Sequence, residues 1–554
     1  MISNFKNSLK KGYQKLSNTK IKPIYILLLI VLLIAIGLRT YKLDKSIWLQ
    51  VGYDESRDML VAQHIVSGEL IPRGPLAAGG MNQLMNSPLY YYFTALIWFY
   101  TRNPLIFMYI WALMMVAPVL IGYKIGKKTI DEKAGLILAT IIAINHQMVA
   151  SSRELLQPHL LLIFALSFIW AGISFIKSRK HKLRYLNLAI IFIFLPLHFH
   201  YGVLISIPFG IILLTYAWNC LYKEKISFHH LLSPIILLIT VLASWVMLTY
   251  RKYPLDQFLF FTSNFETKYN RNPLNQIKES ILTLYQLIWG NITFNSESVI
   301  FLIAFIFIFI KIKKHTKKEL GLRKSIFFLL LMSSSIFFFV FYKHFVAATY
   351  LLFILPFFIT ILALGLRLIL QKNRLFGIVV IIITITSMAA TTYHRIFVNL
   401  PKTSFHNQQQ EIAEQVYKHY QSLDYKIYDL NQPSLLISMY TTTQNMPFDG
   451  WGTSGVWFYL EKYFKQPLVE NTSYGVNHKP INRFPKVIYM VCDHRVLPEM
   501  IDQECLQRFK NAYQLEDDKV ILINKNLNLS LWGTLLNQNQ KKLIRNVVHK
   551  ELLN

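Results

Sequence analysis

Long apolar segments alternate with short polar loops along most of this chain. A bilayer core is crossed by about 20 apolar residues, and many of the segments approach that length. The alternation predicts about 11 transmembrane helices, at about 24–40, 105–122, 134–150, 159–176, 185–199, 203–221, 231–249, 297–312, 325–341, 346–366 and 376–391. We therefore expect an α-helical polytopic membrane protein.

Two apolar pieces are too short for a crossing. Ser87 to Tyr100 holds about 14 residues and is rich in tyrosine, which is typical of a membrane interface. Ile281 to Gly290 is shorter still. Both are expected to form interfacial or re-entrant helices.

The pattern changes after Thr392. Residues 412–420 have the spacing of an amphipathic helix, and short apolar runs at 426–430, 486–491 and 519–524 are typical of strands. Helices mixed with short strands predict a C-terminal α/β soluble domain at 393–554. No phosphate-binding glycine loop and no nucleophile elbow is found there.

Basic residues fix the expected orientation. The 554-residue chain carries a formal net charge of +29, but its Lys and Arg lie in short loops on one side of the predicted topology, so nucleic acid is excluded as a partner. The positive-inside bias places these loops in the cytoplasm and favours contact with membrane lipids. The expected domains are a basic cytoplasmic tail (1–23), a transmembrane domain (24–392) with a first extracytoplasmic loop (41–104), and an extracytoplasmic domain (393–554). We expect an inner (plasma) membrane, multi-pass protein with a cytoplasmic N-terminus and an uncleaved first helix.

The cysteines give little guidance. Cys220 lies at a predicted helix end, and Cys492 and Cys505 lie in the C-terminal region, where they could pair or remain two separate thiols. No Cys/His spacing is typical of a metal site.

Unusual polar residues gather on the predicted outer side. They are Asp54, Glu55, Arg57, Asp58, His64 and Arg73 in the first loop, Arg153, Glu154, Gln157 and His159 in the second, and His198, His200, Tyr201, Lys343 and His344 at later helix ends. An acid beside the membrane can act as general base toward a hydroxyl, and nearby cations can neutralise a phosphate leaving group. Such a set suits transfer from a lipid-phosphate carrier.

Three segments resemble glycosyltransferase family 39, which includes protein O-mannosyltransferases and aminoarabinose transferases. They are Gly52 to Ala62, Gly68 to Pro75 and Ser87 to Tyr92, and the second loop from Ser152 to Leu161 resembles the same family. The resemblance covers roughly residues 20–390. It implies a C-type membrane glycosyltransferase fold and a polyprenyl-phosphate sugar donor.

By this resemblance Asp54 would be the catalytic base and Glu55 its acidic neighbour. Binding of the donor phosphate or substrate is expected of Arg57, Arg73, Arg153, Gln157, His200, Tyr201, Lys343 and His344. Gln157 departs from the family pattern, where an Asp or Asn is usual, and an amide cannot act as a base. No metal ligand is assigned, and a divalent cation stays open as a cofactor.

Simpler readings compete with these roles. Asp54 could be the N-cap of a helix from Glu55 to Ser67 that ends at Gly68. Arg153 could be a boundary residue that reaches toward head groups. Tyr90 to Tyr92 are most simply an aromatic belt.

The sequence thus predicts an inverting hexosyl- or pentosyltransferase acting on the extracytoplasmic side, with a lipid, glycan or protein hydroxyl as acceptor. One alternative is a transporter or flippase for lipid-linked or anionic solutes. Another is a non-catalytic cell-envelope assembly protein.

Overall fold

The computed structural model describes most of the apolar helices and part of the C-terminal region. The described residues are 22–46, 53–71, 74, 87–178, 180–223, 228–250, 273–290, 300, 303–304, 306, 308, 320–341, 348–398, 405–423, 435–440, 450–466, 468, 487–493, 506–507, 510, 521–525 and 529–535. Four residues of interest, Arg73, Lys343, His344 and Cys505, lie outside them, as does the side chain of Tyr201.

Helices make up nearly all of the described chain up to residue 398. In order they are α1 Pro23–Thr40, α2 Tyr53–Val66, α3 Leu89–Thr101, α4 Pro104–Met114, α5 Ala117–Thr129, α6 Glu132–Ile144, α7 His146–Arg153, α8 Leu161–Lys177, α9 Lys182–Phe194, α10 Ile207–Lys223, α11 Phe228–Tyr250, α12 Pro273–Trp289, α13 Leu320–Ser333, α14 Leu355–Lys372 and α15 Arg374–Thr392. Short 3-10 turns at 157–160, 195–198, 201–206, 334–341 and 348–351 connect several of them.

Within the described residues, six helical stretches are long and apolar enough to cross a membrane. They are Pro23–Thr40, Pro104–Thr129, Gln157–Lys177, Leu320–Phe337, Leu355–Lys372 and Arg374–Val398. The pair α6 and α7, bent by 54°, would add a seventh, and shorter apolar helices lie at Gly210–Leu221 and Leu232–Leu248. The chain is therefore a multi-pass membrane protein, while the number of about 11 crossings stays a prediction.

Polar side chains at the loop ends decide where these helices begin. Asp131 accepts a hydrogen bond from the Ala134 N–H at the start of α6, and Asn145 accepts one from the Met148 N–H at the start of α7. A side-chain acceptor of this kind satisfies an amide that has no partner inside the helix. The cap at Asn145 therefore explains why the predicted single helix 134–150 is broken.

Small residues let neighbouring helices approach closely. At Gly126 on α5, a Cβ atom would lie 2.5 Å from the carbonyl oxygen of Ala134 on α6. At Gly135 on α6, it would lie 2.5 Å from the carbonyl oxygen of Tyr123. Membrane helices associate through such close packing, because lipid supplies little hydrophobic drive between them.

The C-terminal region combines helices with a four-stranded sheet. Its described elements are α16 Phe405–Ser422, β1 Leu435–Tyr440, α17 Gly450–Phe464, β2 Val487–Asp493, β3 Ile521–Lys525 and β4 Leu529–Leu535. The strand order is β1-β2-β4-β3, with β1 and β2 parallel and the other pairs antiparallel. The predicted helix and two of the predicted strands are thus present, and the strand expected at 426–430 lies outside the described residues. That this region is soluble and extracytoplasmic stays a prediction.

Candidate active site

The acidic motif of the first loop forms the opening turn of α2. This helix runs from Tyr53 to Val66, and Gly68 follows it with a φ of 101°. Asp54 is therefore inside the first turn, so the alternative that it is the N-cap of a helix starting at Glu55 does not fit this helix. Carboxylates in a first turn are stabilised by the positive end of the helix dipole.

Arg57 joins an exposed and a buried carboxylate. Its Nη1 lies 2.6 Å from Asp54 Oδ1, and its Nη2 and Nε lie 2.7 and 3.0 Å from Asp58 Oδ1. The Asp54 side chain is 46% exposed, whereas that of Asp58 is 1% exposed. Asp58 therefore fixes the position of Arg57 from the interior, and Arg57 in turn holds the Asp54 carboxylate in a fixed orientation at the surface.

Burial governs the electrostatics of this cluster. Desolvation, partly offset by the Arg57 guanidinium, raises the pKa of Asp58 to about 6. Burial works against the charge of Arg57, but Asp58 and Asp54 hold its pKa above the ordinary value. The sequence reading of Arg57 as a donor-phosphate ligand is not supported by these contacts, because its guanidinium faces the protein's own carboxylates.

Two tyrosines of α3 enclose the cluster. Tyr90 lies beside Asp58 and Tyr91 beside Arg57, and both side chains are fully buried. The Tyr92 hydroxyl donates to the carbonyl of Ile71 at 3.1 Å. The interpretation of these three residues as an aromatic belt was therefore wrong, because they pack the first loop against itself.

Glu55 connects the first loop to the second. Its side chain is 2% exposed, and its Oε1 accepts a hydrogen bond from the Leu155 N–H at 2.7 Å. This contact brings two segments a hundred residues apart next to each other at the start of α2. Glu55 is buried beneath the surface at which Asp54 is exposed, which supports a positioning role more than direct chemistry.

Arg153 clamps the end of the first membrane helix. Its Nη1 donates to the carbonyls of Arg39 and Tyr41 at 3.2 and 2.9 Å, and its Nη2 donates to Ser46 Oγ at 2.5 Å. Its guanidinium also lies 5.4 Å from the ring centroid of Phe397. A guanidinium turned to helix-end carbonyls satisfies acceptors that have no partner in the helix. These contacts do not support the predicted role of Arg153 in donor binding.

Gln157 opens the 3-10 turn that follows Arg153. Its side chain is partly buried, and its Oε1 has no hydrogen-bond partner among the described residues. His159 in the same turn is buried, with Nδ1 3.1 Å from the carbonyl oxygen of Glu154. The Oε1 atom of Gln157 therefore has unused hydrogen-bonding capacity.

The histidines at the end of α9 make separate contacts. His200 Nδ1 accepts from the Gly202 N–H at 3.0 Å, and its ring packs on Tyr350 with centroids 5.4 Å apart. Burial, reinforced by His159, lowers the pKa of His200 to about 4, so the ring is neutral and its Nε2 carries the proton. His198 instead lies 3.0 Å from Ser87 Oγ. The segment after α9 thus contacts the first loop through His198, and its His200 lies near His159 of the second loop.

A buried ion cluster ties α2 to the C-terminal region. His64 Nε2 lies 2.7 Å from Glu461 Oε2 on α17, and His64 Nδ1 lies 3.3 Å from Glu69 Oε2. Burial disfavours its charge, but the two carboxylates raise the pKa of His64 to about 9. Trp98 on α3 packs edge-on against Phe458, with centroids 5.4 Å apart. The helix that carries Asp54 is therefore braced by the α/β region.

One contact of the site could have been inferred from the sequence, whereas others could not. The i, i+3 spacing of Asp54 and Arg57 could have indicated their ion pair. Nothing in the sequence connects Glu461 to His64, or singles out Tyr90 and Tyr91 from other tyrosines. Across the described part of the chain, no group of three or more His, Cys, Asp or Glu side chains is arranged to hold a metal ion.

The fold is similar to that of a protein whose crystal structure is known. ArnT from Cupriavidus metallidurans bound to undecaprenyl phosphate matches 92% of this chain and 97% of its own, with a TM-score of 0.56 and 10% identity. Its apo structure matches 95% and 98%, with a TM-score of 0.54. An Archaeoglobus fulgidus oligosaccharyltransferase in complex with Zn and sulfate matches 84% of this chain and 68% of its own, at 12% identity and a TM-score of 0.46.

No protein-family model and no curated protein sequence matches the chain. At about one identical residue in ten, the likeness to ArnT shows the fold alone. The fold expected from the sequence resemblance is therefore confirmed as one that the chain shares with ArnT.

Proposed function

We propose that the chain transfers a sugar from a polyprenyl-phosphate donor to a hydroxyl group of a lipid, glycan or protein. The observation that carries the proposal is the Asp54 carboxylate, exposed and held by Arg57, on the first-loop helix of a chain with the ArnT fold. That ArnT was solved with undecaprenyl phosphate supports a lipid-phosphate donor. We place the reaction on the extracytoplasmic side, as the basic loops predict.

In the proposed reaction the acceptor hydroxyl attacks the anomeric carbon from the face opposite the phosphate. Asp54 takes the hydroxyl proton while the new C–O bond forms. The bond from the anomeric carbon to the phosphate oxygen breaks, and its electron pair leaves with the polyprenyl phosphate. Inversion at the anomeric carbon follows from this single displacement.

Other groups prepare this step. Asp58 and Tyr91 hold Arg57, and Tyr90 lies against Asp58. Arg57 in turn fixes the carboxylate of Asp54. A base fixed in this way needs little reorganisation when it accepts the proton. Gln157 can hydrogen-bond a sugar hydroxyl through its amide, and the neutral His200 can donate from Nε2. We assign the positive charge that stabilises the leaving phosphate to Arg73, Lys343 and His344. Their roles remain predictions from the sequence.

The test compares Asp54→Asn with Glu414→Gln in membranes supplied with a radiolabelled polyprenyl-phosphate sugar. General base catalysis contributes about 100-fold to 10,000-fold, so Asp54→Asn should lose at least that lower factor at unchanged protein level. Glu414, an exposed acid paired with Lys418 on α16, controls for removal of a surface charge, and its variant should keep full activity. Full transfer by Asp54→Asn would overturn the role of Asp54.

A further inference from the structure

An apolar cavity of about 410 Å³ lies among α8, α9, α10 and α13, away from Asp54. Its walls are almost entirely aromatic and aliphatic, and include Phe168, Phe175 and Phe328. Two cationic residues, Arg323 and Lys324, line it where α13 begins. No acidic side chain is among the described residues that line it. Its volume falls in the range of about 300–1,000 Å³ that is usual for ligand pockets.

The geometry of the span containing α8 shows which membrane surface the cations occupy. The stretch Gln157–Lys177 holds 21 residues, which at about 1.5 Å per residue spans roughly a bilayer core. Its first end adjoins Leu155, which is hydrogen-bonded to Glu55 beside Asp54. Its last residue, Lys177, packs beside Gly321 at the start of α13. Arg323 and Lys324 therefore lie at the surface opposite the candidate active site.

We infer that this cavity binds an anionic phospholipid. Its acyl chain would occupy the apolar walls, and its phosphate would face Arg323 and Lys324. Charge complementarity selects this occupant: a neutral apolar molecule would make no use of the two cations that line the cavity, and a soluble anion would make no use of the apolar walls. On the predicted topology this surface is the cytoplasmic leaflet, where anionic lipids are attracted to Lys and Arg.

The site is distinct from the proposed donor site. A donor that reacts at Asp54 has its phosphate at that surface, a full membrane span from Arg323. A phosphate at the cations of the cavity must belong to another molecule. The lipid site can therefore exist whether or not the proposed transfer reaction is correct.

Native mass spectrometry of the full-length, detergent-solubilised protein tests the inference. Phosphatidylglycerol and phosphatidylcholine with identical acyl chains are titrated separately. The wild type should bind phosphatidylglycerol more tightly. The double variant Arg323→Gln/Lys324→Gln should bind it roughly thirtyfold more weakly, because each cation near an anionic lipid contributes about a fivefold factor. Its affinity for phosphatidylcholine should not change.

Two further variants serve as controls for the binding measurement. Arg374→Gln removes an exposed cation at the start of α15 that does not line the cavity, and it should keep wild-type affinity for phosphatidylglycerol. Ala217→Phe fills the cavity wall and should weaken binding of both lipids, whatever their charge. Equal binding of the two lipids by the wild type would overturn the inference, as would wild-type affinity in the double variant. Competition in which undecaprenyl phosphate displaces phosphatidylglycerol one for one would assign the cavity to the donor tail instead.

Discussion

Two arginines predicted to bind the donor phosphate end in different surroundings. Arg57 on α2 is held between the carboxylates of Asp54 and Asp58, whereas Arg153 at the end of α7 is held by main-chain carbonyls at the end of α1. Both are charged groups at the edge of the membrane, where an unsatisfied charge is costly. Arg57 is part of the ionic framework around the proposed base. Arg153 closes a helix end and would act on the reaction only through the fold.

Removing Arg57 should have the largest effect on stability. Arg57→Ala leaves Asp58 buried without its cation, and breaking a buried ion pair typically costs about 3–5 kcal/mol. We expect a loss of that size in the free energy of unfolding, measured by denaturation in detergent. The double variant Arg57→Ala/Asp58→Asn should recover a large part of it, because the remaining amide is neutral. If the single and double variants were equally unstable, Asp58 would not be the group that needs Arg57.

The His64 cluster should make stability depend on pH. Its folded pKa of about 9 lies above the ordinary 6.5, so its contribution is complete below pH 6.5 and is lost as the pH rises through 9. The difference corresponds to about 3 kcal/mol at most. Glu461→Gln should flatten the dependence of the melting temperature on pH in this window. If the dependence of the melting temperature on pH were unchanged in that variant, Glu461 on α17 would not be a group that stabilises the charged form of His64.

Removing Arg153 should have a smaller and different effect. Arg153→Ala takes away charge-assisted hydrogen bonds to the end of α1, and we expect a loss of about 2 kcal/mol in the free energy of unfolding. The KM for the donor in the folded fraction should remain that of the wild type. Arg153→Lys should rescue only part of the stability, because an ammonium cannot reproduce the planar fork. A raised donor KM with normal stability would contradict a purely structural role of Arg153. It would support the predicted role of Arg153 in donor binding.

The sequence predicts the parts of this molecule that depend on local pattern. Apolar periodicity locates α1 and α8, and the density of acids identifies the start of α2. It cannot predict contacts between distant segments, such as His64 with Glu461 or Glu55 with Leu155, because nothing local distinguishes those partners. The fully buried Tyr90 and Tyr91 were misread for the same reason, since tyrosine at a membrane edge is usually interfacial.

The central claim is that Asp54 accepts the proton of the acceptor hydroxyl, and single-turnover transfer by purified Asp54→Asn tests it most directly. The enzyme is loaded with radiolabelled polyprenyl-phosphate sugar, its Kd for the donor is measured, and acceptor is then added. We predict a donor Kd equal to that of the wild type and a transfer rate lower by about 100-fold or more. A wild-type transfer rate, or a loss of transfer explained entirely by a weaker donor Kd, would contradict the claim.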